Sequence, residues 1–383
     1  MDSSRSQKSP EIAITSVGHF NEAYPNTYFK SRLLLEHYGC KALAIVFKLS
    51  NANSHSGLGN LKLAILFRFV CNNLRSWIRI MRTKPIKVYV CYPGIFLVFL
   101  LKLTAKRYRP SVYLDAFISI YDTVVIDRKL ISEHSILAKI LFKIERAALL
   151  FCDTVIVDTA ENASHMAAVF SIPQARFQAI NLTVPVMSST PGIVRRKSCT
   201  CLFIGTFVPL QGIECIAQAA GLLGHRTDIH FKIIGDGQDS PLLRSAMRSN
   251  ACGNITWIAE WLSTTQLQQE IANADICLGI FGTTEKSQRV WPFKNYLYMA
   301  AGKPIITGDS NCARNLATFT ETDDFVTSTL GCAQALADSI TTLAASTPRR
   351  AALGSNAKAF YQTHLSHEIA LRKLTTLLDI QLA

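Results

Sequence analysis

The sequence has no acidic residue between Glu36 and Asp115, although this stretch carries 13 lysines and arginines. The imbalance extends over the first half, since residues 1–198 hold 26 basic and 12 acidic side chains, whereas residues 199–383 hold 14 and 15. A field of one sign attracts polyanions or anionic lipid headgroups. We therefore expect the basic segment 37–114 to contact an anionic membrane or another anionic partner; a solvated basic face is the alternative.

Paired cysteines are also lacking, because none of the 11 cysteines belongs to a C-x-x-C motif. Several stand in apolar runs, where cysteine acts as a small hydrophobic residue. An odd number of cysteines without metal-ligand spacing predicts a reducing compartment and no metal site. The first ten residues lack the apolar core of a signal peptide. We therefore expect a cytoplasmic protein, peripheral to the inner face of the plasma membrane if the basic segment binds lipid.

The sequence has no apolar run long enough to span a membrane. Residues 95–101 are apolar, but Lys102 ends this run well short of the ~20 residues that a span needs. Residues 61–82 are interrupted by arginine and asparagine, and their apolar residues recur at helical spacing. This pattern predicts a basic amphipathic helix, lying either on a membrane surface or with its apolar side on a sheet. Nucleic acid is not an expected partner, because no binding motif or aromatic-interleaved basic strip is present.

Short β-rich runs alternate with helical patterns from one end of the chain to the other. Alternation with strands that are apolar on both sides predicts parallel sheets covered by helices. A length of 383 residues suits two domains. We therefore predict an α/β fold of two doubly wound, Rossmann-like domains facing across a cleft. The basic domain would span 1–190 and the second 191–365, joined by a Pro- and Ser-rich linker near 183–198, and by analogy the C-terminal helix 366–383 would pack back toward the first domain.

Two strand-to-helix turns of the second half contain glycines at positions suited to a ligand. In one, a strand ends at Gly205 and a helix opens near Gln211 and Gly212, so that exposed N–H groups at the helix start are suited to phosphate. In the other, the Gly-Asp-Gly of 235–237 ends a strand, which is compatible with a nucleotide edge approaching the backbone. A plain tight turn is the alternative in both cases.

A third turn combines charged residues with the start of a helix. A polar loop carrying Glu285 and Arg289 precedes a helix that opens at Pro292 and includes Lys294. The helix dipole and the basic side chains together favour a diphosphate. The Glu285 carboxylate is suited to accept hydrogen bonds from sugar hydroxyls.

The run from 200 to 306 resembles glycosyltransferase family 4, a family of the GT-B type. The matching segments are the strand-Gly-loop-Gly-Ile-Glu of 201–214, IIGDG at 233–237, I-x-W at 255–257, AD-x-x-L at 274–278 and P-x-K…MAAGKPII at 292–306. The first half resembles a bacterial branch of that family at 24–25, 92–94, 115–123 and 153–159.

The resemblance implies a retaining, metal-independent transferase without a cofactor, which moves a sugar from a nucleotide-diphosphate sugar to a glycan or lipid-linked acceptor in cell-envelope polysaccharide synthesis. Arg289 and Lys294 would stabilise the charge of the leaving diphosphate. In the first domain, His19 and Asp115 would orient the acceptor or the sugar, although His19 can equally be a loop residue without a role. The donor-binding set expected from the turns and the resemblance is Gly205, Thr206, Gln211, Gly212, Gly235, Asp236, Gly237, Glu260, Glu285, Arg289, Lys294 and Leu297.

The sequence departs from the family pattern at two places. Many members have two glutamates eight positions apart, where this chain has Arg289 and Leu297. A leucine cannot accept the ribose hydrogen bonds, a loss of about 2–3 kcal/mol of binding. Gln211 also stands where a lysine or arginine usually precedes Gly212. A catalytically inactive binding protein of the same fold therefore remains an alternative, as does a sugar-nucleotide epimerase, which would need a cluster of carboxylates and histidine.

Overall fold

The computed structural model describes residues 9–18, 20, 24–47, 63–184, 198–249 and 253–379. His19 and most of the expected linker lie outside the described residues, as does part of the basic segment. The chain divides into two compact units, of which the first is Met1–Thr183 with His367–Ala383 and the second is Val184–Ser366.

The first unit contains a parallel sheet of six strands in its described part. These are β1 (Ile12–Ser16), β2 (Ala42–Val46), β3 (Lys87–Cys91), β4 (Ser111–Phe117), β5 (Thr154–Val157) and β6 (Phe177–Ala179). Their order in the sheet is β2-β1-β3-β4-β5-β6. The helices that follow the strands are α1 (Pro25–Tyr38), α2 (Leu63–Thr83), α3 (Ile95–Leu103), α4 (Ile136–Phe151) and α5 (Ala160–Phe170).

Both faces of the first sheet are buried by helices. Alternate residues of each strand point to opposite faces, so neighbouring residues of one strand belong to different core clusters. Val88 and Val90 of β3 pack in a core cluster with α2, α3, α4 and α5. Tyr89, between them, packs in a second cluster with Leu34 of α1 and with Leu374 near the C-terminus. The strands are therefore apolar in almost every position, as a doubly wound sheet requires.

The second unit also contains a parallel sheet of six strands in its described part. These are β7 (Cys199–Ile204), β8 (Ile229–Ile234), β9 (Ile255–Ile258), β10 (Ile276–Leu278), β11 (Ile305–Gly308) and β12 (Val326–Ser328). Their order is β12-β11-β10-β7-β8-β9. The remaining helices are α6 (Ile213–Leu222), α7 (Ser240–Ser249), α8 (Thr264–Asn273), α9 (Phe293–Ala300), α10 (Asn311–Ala317), α11 (Ala333–Ala344), α12 (Thr347–Phe360) and, in the first unit, α13 (His367–Asp379).

The predicted fold class, a pair of doubly wound parallel sheets, is confirmed. The capping box of Ser263 and Gln266 opens α8. Helix α4 begins at Ile136, because the hydroxyl of Ser135 accepts the N–H of Ala138 and caps the helix there. No described helix is both apolar and long enough for a transmembrane span, and the ten cysteines of the described ranges are free thiols.

Candidate functional site

The strand order of the second sheet reverses between β7 and β10, which lie side by side. Strand β7 ends at Ile204 and leads into Gly205, and β10 ends at Leu278 and leads into Gly279. In doubly wound sheets, ligands bind outside the carboxyl ends of the strands at such a switch point. This edge is therefore the place in the second unit where a ligand is expected.

Lys294, in the first turn of α9, joins the two loops at the switch point. Its Nζ donates to the carbonyl oxygen of Gly279 at 3.2 Å and to Oε1 of Gln211, and it lies 3.5 Å from the centre of the Phe203 ring. Only 6% of the side chain is exposed, and this burial lowers the pKa of Lys294 well below its ordinary value. An anion bound beside the ammonium group would favour the charged form again. The site therefore holds a buried amino group whose charged form a bound phosphate would stabilise.

Glycines bring the backbones of these loops into contact. Gly212, the residue before α6, has φ +67°, and a Cβ there would lie 2.4 Å from the backbone nitrogen of Gly282. Gly235, after β8, has φ +133°, and a Cβ there would lie 1.9 Å from the carbonyl oxygen of Gly205. Only glycine combines these dihedral angles with such close approach. The loops after β7, β8 and β10 are consequently packed backbone to backbone around the switch point.

A pocket of about 490 Å³ opens at the first turn of α6. Its lining includes Gly212, Ile213 and Glu214 of this turn and Gly282 and Thr283 of the loop after β10. The first N–H groups of a helix have no acceptor within the helix, and the helix dipole favours an anion there. The start of this helix, where we predict that a phosphate binds, therefore lines a pocket.

The Gly-Asp-Gly turn after β8 is held together by its own side chains. The Asp236 carboxylate accepts the N–H of Gly237 at 2.8 Å and the hydroxyl of Ser240 at the start of α7. The Asp236 carbonyl oxygen accepts the N–H of Phe207 at 3.0 Å. The turn is thus fixed against the loop after β7.

The other expected donor residues differ in exposure. Arg289 is buried at the end of the short 3₁₀ turn Glu285–Gln288, and Leu297 is buried on α9. Glu285, at the start of that turn, is exposed, as are Thr206 after β7 and Glu260 after β9. Lys294 contacts the loops of Gln211 and Gly279, whereas the three exposed residues lie at the surface.

Asn295, beside Lys294, was not among the residues expected from the sequence. Its side chain is fully buried, and within the described residues neither its Nδ2 nor its Oδ1 has a hydrogen-bond partner. Its Oδ1 lies near Gly279, since a Cβ on that glycine would approach it to 3.1 Å. A buried amide without partners is costly, so Asn295 is a candidate for contact with a bound group at the switch point. A polar residue on the apolar side of α9 is the sequence signal that could have selected it.

In the first unit, Asp115 of β4 forms a buried ion pair. Its Oδ2 lies 2.7 Å from Nζ of Lys30 on α1 and accepts the hydroxyl of Tyr89 at 2.6 Å. Asp115 is 2% exposed. Burial and the neighbouring carboxylate raise the pKa of Tyr89 well above its ordinary value, so the tyrosine stays protonated and donates. The structure thus gives Asp115 a role in fixing α1 on the sheet; its expected role toward the acceptor or the sugar stays a prediction.

A second buried carboxylate follows the neighbouring strand. Asp158, directly after β5, accepts the side-chain N–H of Asn162 at 2.9 Å, and burial raises its pKa to about 6. A carboxylate directly after an apolar strand is the sequence signal that could have found Asp158, whereas Asp115 lies inside β4, two residues before its end. Lys30 gave no such signal, because its position in α1 is typical of a surface lysine.

Comparison with known proteins finds a similarity within the second unit. Residues 198–346 match the family model described as Glycosyl transferases group 1. This part of the chain is similar to group 1 glycosyl transferases. No curated protein sequence matches the chain. The switch point, Lys294 and the α6 pocket all lie within the residues that match this model.

Solved structures of GT-B glycosyltransferases are similar to the whole chain in fold. HepE of Anabaena, in complex with UDP and glucose, is 13% identical, with a TM-score of 0.67 and coverage of 97% of this chain and 100% of that one. Sucrose-phosphate synthase of Thermosynechococcus elongatus is 13% identical, with a TM-score of 0.72 and coverage of 96% and 98%. TarM of S. aureus, in complex with fondaparinux, α-GlcNAc-glycerol and UDP, is 14% identical with a TM-score of 0.61. The match covers 80% of this chain but 59% of TarM.

The predicted resemblance to GT-B glycosyltransferases is therefore confirmed. Within the described residues, no group of three or more His, Cys, Asp or Glu side chains is placed to hold a metal ion.

Proposed function

We propose that this protein transfers a sugar from a nucleotide-diphosphate sugar to a glycan or lipid-linked acceptor, with retention of configuration and without a metal ion, in cell-envelope polysaccharide synthesis. The second unit would bind the donor, and the first unit would recognise the acceptor. UDP is the first nucleotide to test, because the structures of HepE and TarM both contain it.

The position of Lys294 is the observation that carries this proposal. Its ammonium group touches the loops after β7 and β10 at the point where ligands of doubly wound sheets bind. It also reaches the side chain of Gln211, the position where the family usually has its own cation. We infer that Lys294 supplies the positive charge that Gln211 lacks.

The chemistry assigned to the site is electrostatic. As the bond between the sugar and the diphosphate breaks, the electron pair moves to the phosphate oxygen, and Lys294 and Arg289 stabilise the negative charge that develops there. The acceptor hydroxyl attacks from the side that the diphosphate leaves, and its proton passes to the departing phosphate oxygen. Cations that are preorganised in a desolvated site stabilise a developing negative charge more strongly than cations in water, because they need no reorganisation during the reaction.

A screen of nucleotide-sugars for thermal stabilisation tests donor binding. A donor at 100 times its dissociation constant adds about 2.7 kcal/mol to the stability of the protein that binds it. UDP-glucose, other UDP-sugars, GDP-sugars and free UDP should be compared with the Lys294→Met variant as control. Stabilisation of both proteins to the same extent would show that the ligand binds elsewhere, and no stabilisation by any donor would contradict the proposal.

The stereochemistry and the metal requirement need a turnover assay. With a donor identified, the anomeric configuration of the product is read by NMR, and activity is compared with and without EDTA. An inverted product or full loss of activity in EDTA would contradict those two parts of the proposal, while leaving donor binding intact.

The buried Leu297 favours a second candidate function, a binding protein of the same fold without activity. The leucine lies on the same helix as Lys294, at a position where a glutamate would bind the ribose. Leu297→Glu should tighten donor binding if the site is otherwise complete, with Leu297→Gln as a control of similar shape and no charge. Turnover by the wild-type protein would exclude the inactive candidate, whereas binding without turnover in all three proteins would support it.

The basic segment 37–114 supports an acceptor that is itself anionic or is held at an anionic membrane. Its described arginines on α2 are exposed at positions 68, 75, 79 and 82. None of them forms an ion pair within the described residues. Unpaired cations on one helix leave a net positive field, which we expect to draw the protein toward the acceptor at low ionic strength.

A further inference from the structure

Helix α4 carries a row of apolar side chains on its outer surface. Ile136, Leu137, Ile140 and Ile144 are exposed by 77, 57, 48 and 43%. The three isoleucines recur every four residues, so they lie along one side of the helix. The other side is buried, with Ala138 in the core of the first unit. Single exposed apolar residues are ordinary on protein surfaces, but a continuous row marks an interaction surface.

Two lysines run beside this row. Lys139 and Lys143 are exposed and have the same four-residue spacing, and within the described residues neither forms an ion pair. The acidic residue of α4, Glu145, faces inward, where it accepts the backbone N–H groups of Ile120 and Tyr121. The exposed side of α4 therefore combines aliphatic and basic side chains without a carboxylate.

The neighbouring helices extend the same composition. Helix α3 packs against both α2 and α4, and all three contribute to the core on one face of the first sheet. Phe67 and Ile78 on α2 and Phe96 and Leu103 on α3 are exposed apolar residues. The exposed basic residues of these two helices are Arg68, Arg75, Arg79, Arg82 and Lys102.

We propose that the outer surface of α2, α3 and α4 docks on an anionic lipid bilayer, with the row Ile136–Ile140–Ile144 inserted at the boundary of headgroups and acyl chains. Alternating aliphatic and basic side chains are typical of surfaces that lie in this interface. The single sign of the charge selects anionic lipid over neutral lipid. The α4 row lies outside the basic segment 37–114, so it adds an apolar contact to the electrostatic one. This inference deepens the membrane contact of the proposed function, but it needs neither donor nor acceptor, so each can fail without the other.

Vesicle flotation of the full chain tests the docking surface. Vesicles of phosphatidylcholine alone are compared with vesicles that contain about one third phosphatidylglycerol, a strongly anionic surface. The test variant is Ile140→Glu with Ile144→Glu. Its matched control is Leu222→Glu with Leu242→Glu, since these leucines are exposed by 46 and 42% on helices of the second unit.

Wild type and control should bind the anionic vesicles equally, and the α4 variant should bind them at least about tenfold more weakly. Raising the salt concentration should weaken the binding that remains. Absence of wild-type binding to anionic vesicles, equal binding to neutral ones, or an equal loss in the control would each overturn the proposal. A dimer in sedimentation equilibrium that the α4 variant dissociates would assign the row to a second copy of the chain and would also overturn it. Circular dichroism verifies folding, and Ile140→Ser with Ile144→Ser replaces the glutamate variant if that fails to fold.

Discussion

At the scale of single residues, Lys294 is the residue whose proposed role can be tested most directly. Lys294→Met keeps the length of the side chain and removes the charge, so the loops after β7 and β10 should keep their packing. If the ammonium group stabilises the leaving diphosphate, kcat should fall by about 10²–10³, the effect of removing one preorganised group at such a site. Steady-state kinetics with saturating donor measures this. The free energy of unfolding should not fall, because a buried cation is costly to desolvate.

Asp115 and Lys30 give a second test at this scale. Asp115→Asn leaves the Lys30 ammonium buried without its counter-charge, and we expect a loss of about 3–5 kcal/mol in the free energy of unfolding. Adding Lys30→Met should recover much of that loss, since the buried ammonium group that lost its partner is then removed as well. Urea titration of the single and double variants checks this coupling. Equal losses in the two variants would mean that the pair is not the source of the cost.

The sequence was informative about some of these residues and not about others. The types of Lys294 and Gly212 fit a phosphate site at a strand-to-helix turn, and the structure places both beside the switch point, but their role in binding stays a prediction. Lys30 could not, because whether a helical lysine faces the sheet depends on tertiary packing that no local pattern records. The contact between Lys294 and Gln211 joins positions 83 apart in the chain, and only the fold brings them together.

At the scale of elements, the turn from β7 into α6 depends on Gly212. Gly212→Ala places a Cβ at φ +67° and 2.4 Å from the Gly282 backbone, so we expect a loss of about 2–4 kcal/mol in stability together with loss of donor binding. Gly302→Ala is the matched control. Its φ is +69°, but the nearest atoms to a Cβ are 3.5 Å away, so it should lose only the conformational part, about 1 kcal/mol. Comparing the thermal unfolding of the two variants separates the loss of stability due to the backbone clash from the loss due to the positive φ angle.

We expect the stability of the protein to depend on pH through Glu145, which binds the turn before the π-helical segment Asp122–Asp127. Glu145 of α4 accepts the N–H groups of Ile120 and Tyr121, and burial raises its pKa from 4.5 to about 7. Between these pH values the folded state keeps a proton that the unfolded state has lost, so the free energy of unfolding falls as the pH rises. Glu145→Gln cannot ionise, and its stability relative to wild type should therefore improve by up to about 3 kcal/mol from pH 4.5 to 7.5. Urea titrations at both pH values measure this, and a constant difference between the two proteins would contradict the assignment.

Most helices and strands could be predicted from the alternation of apolar runs and helical patterns, but several short elements could not. Helix α10 has seven residues, Asn311–Ala317, and strand β12 has three, Val326–Ser328. Elements of this length show too few periods for a pattern to emerge, and they form because the sheet and the core provide partners for them.

At the scale of the whole molecule, the fold class followed from the sequence because parallel strands buried on both faces are apolar throughout. The strand orders did not, since they depend on which strands pair and not on the composition of each strand. Yet the order of the second sheet locates the candidate site, because it places the reversal between β7 and β10. The geometry of pairing, absent from any local pattern, is thus what makes the loops around Gly205 and Gly279 a single site.

The division into two units predicts how a donor stabilises the protein. The core clusters of the first unit contain residues of that unit alone, as does the large cluster of the second. The residues that we expect to bind the donor all lie in Val184–Ser366. We therefore expect calorimetry to resolve two transitions, of which Gly212→Ala lowers one and thereby assigns it to the second unit. A donor at 100 times its dissociation constant should raise that transition by about 5–10 °C and leave the other in place. A shift of the first unit's transition, or of both together, would mean that donor binding involves the first unit directly.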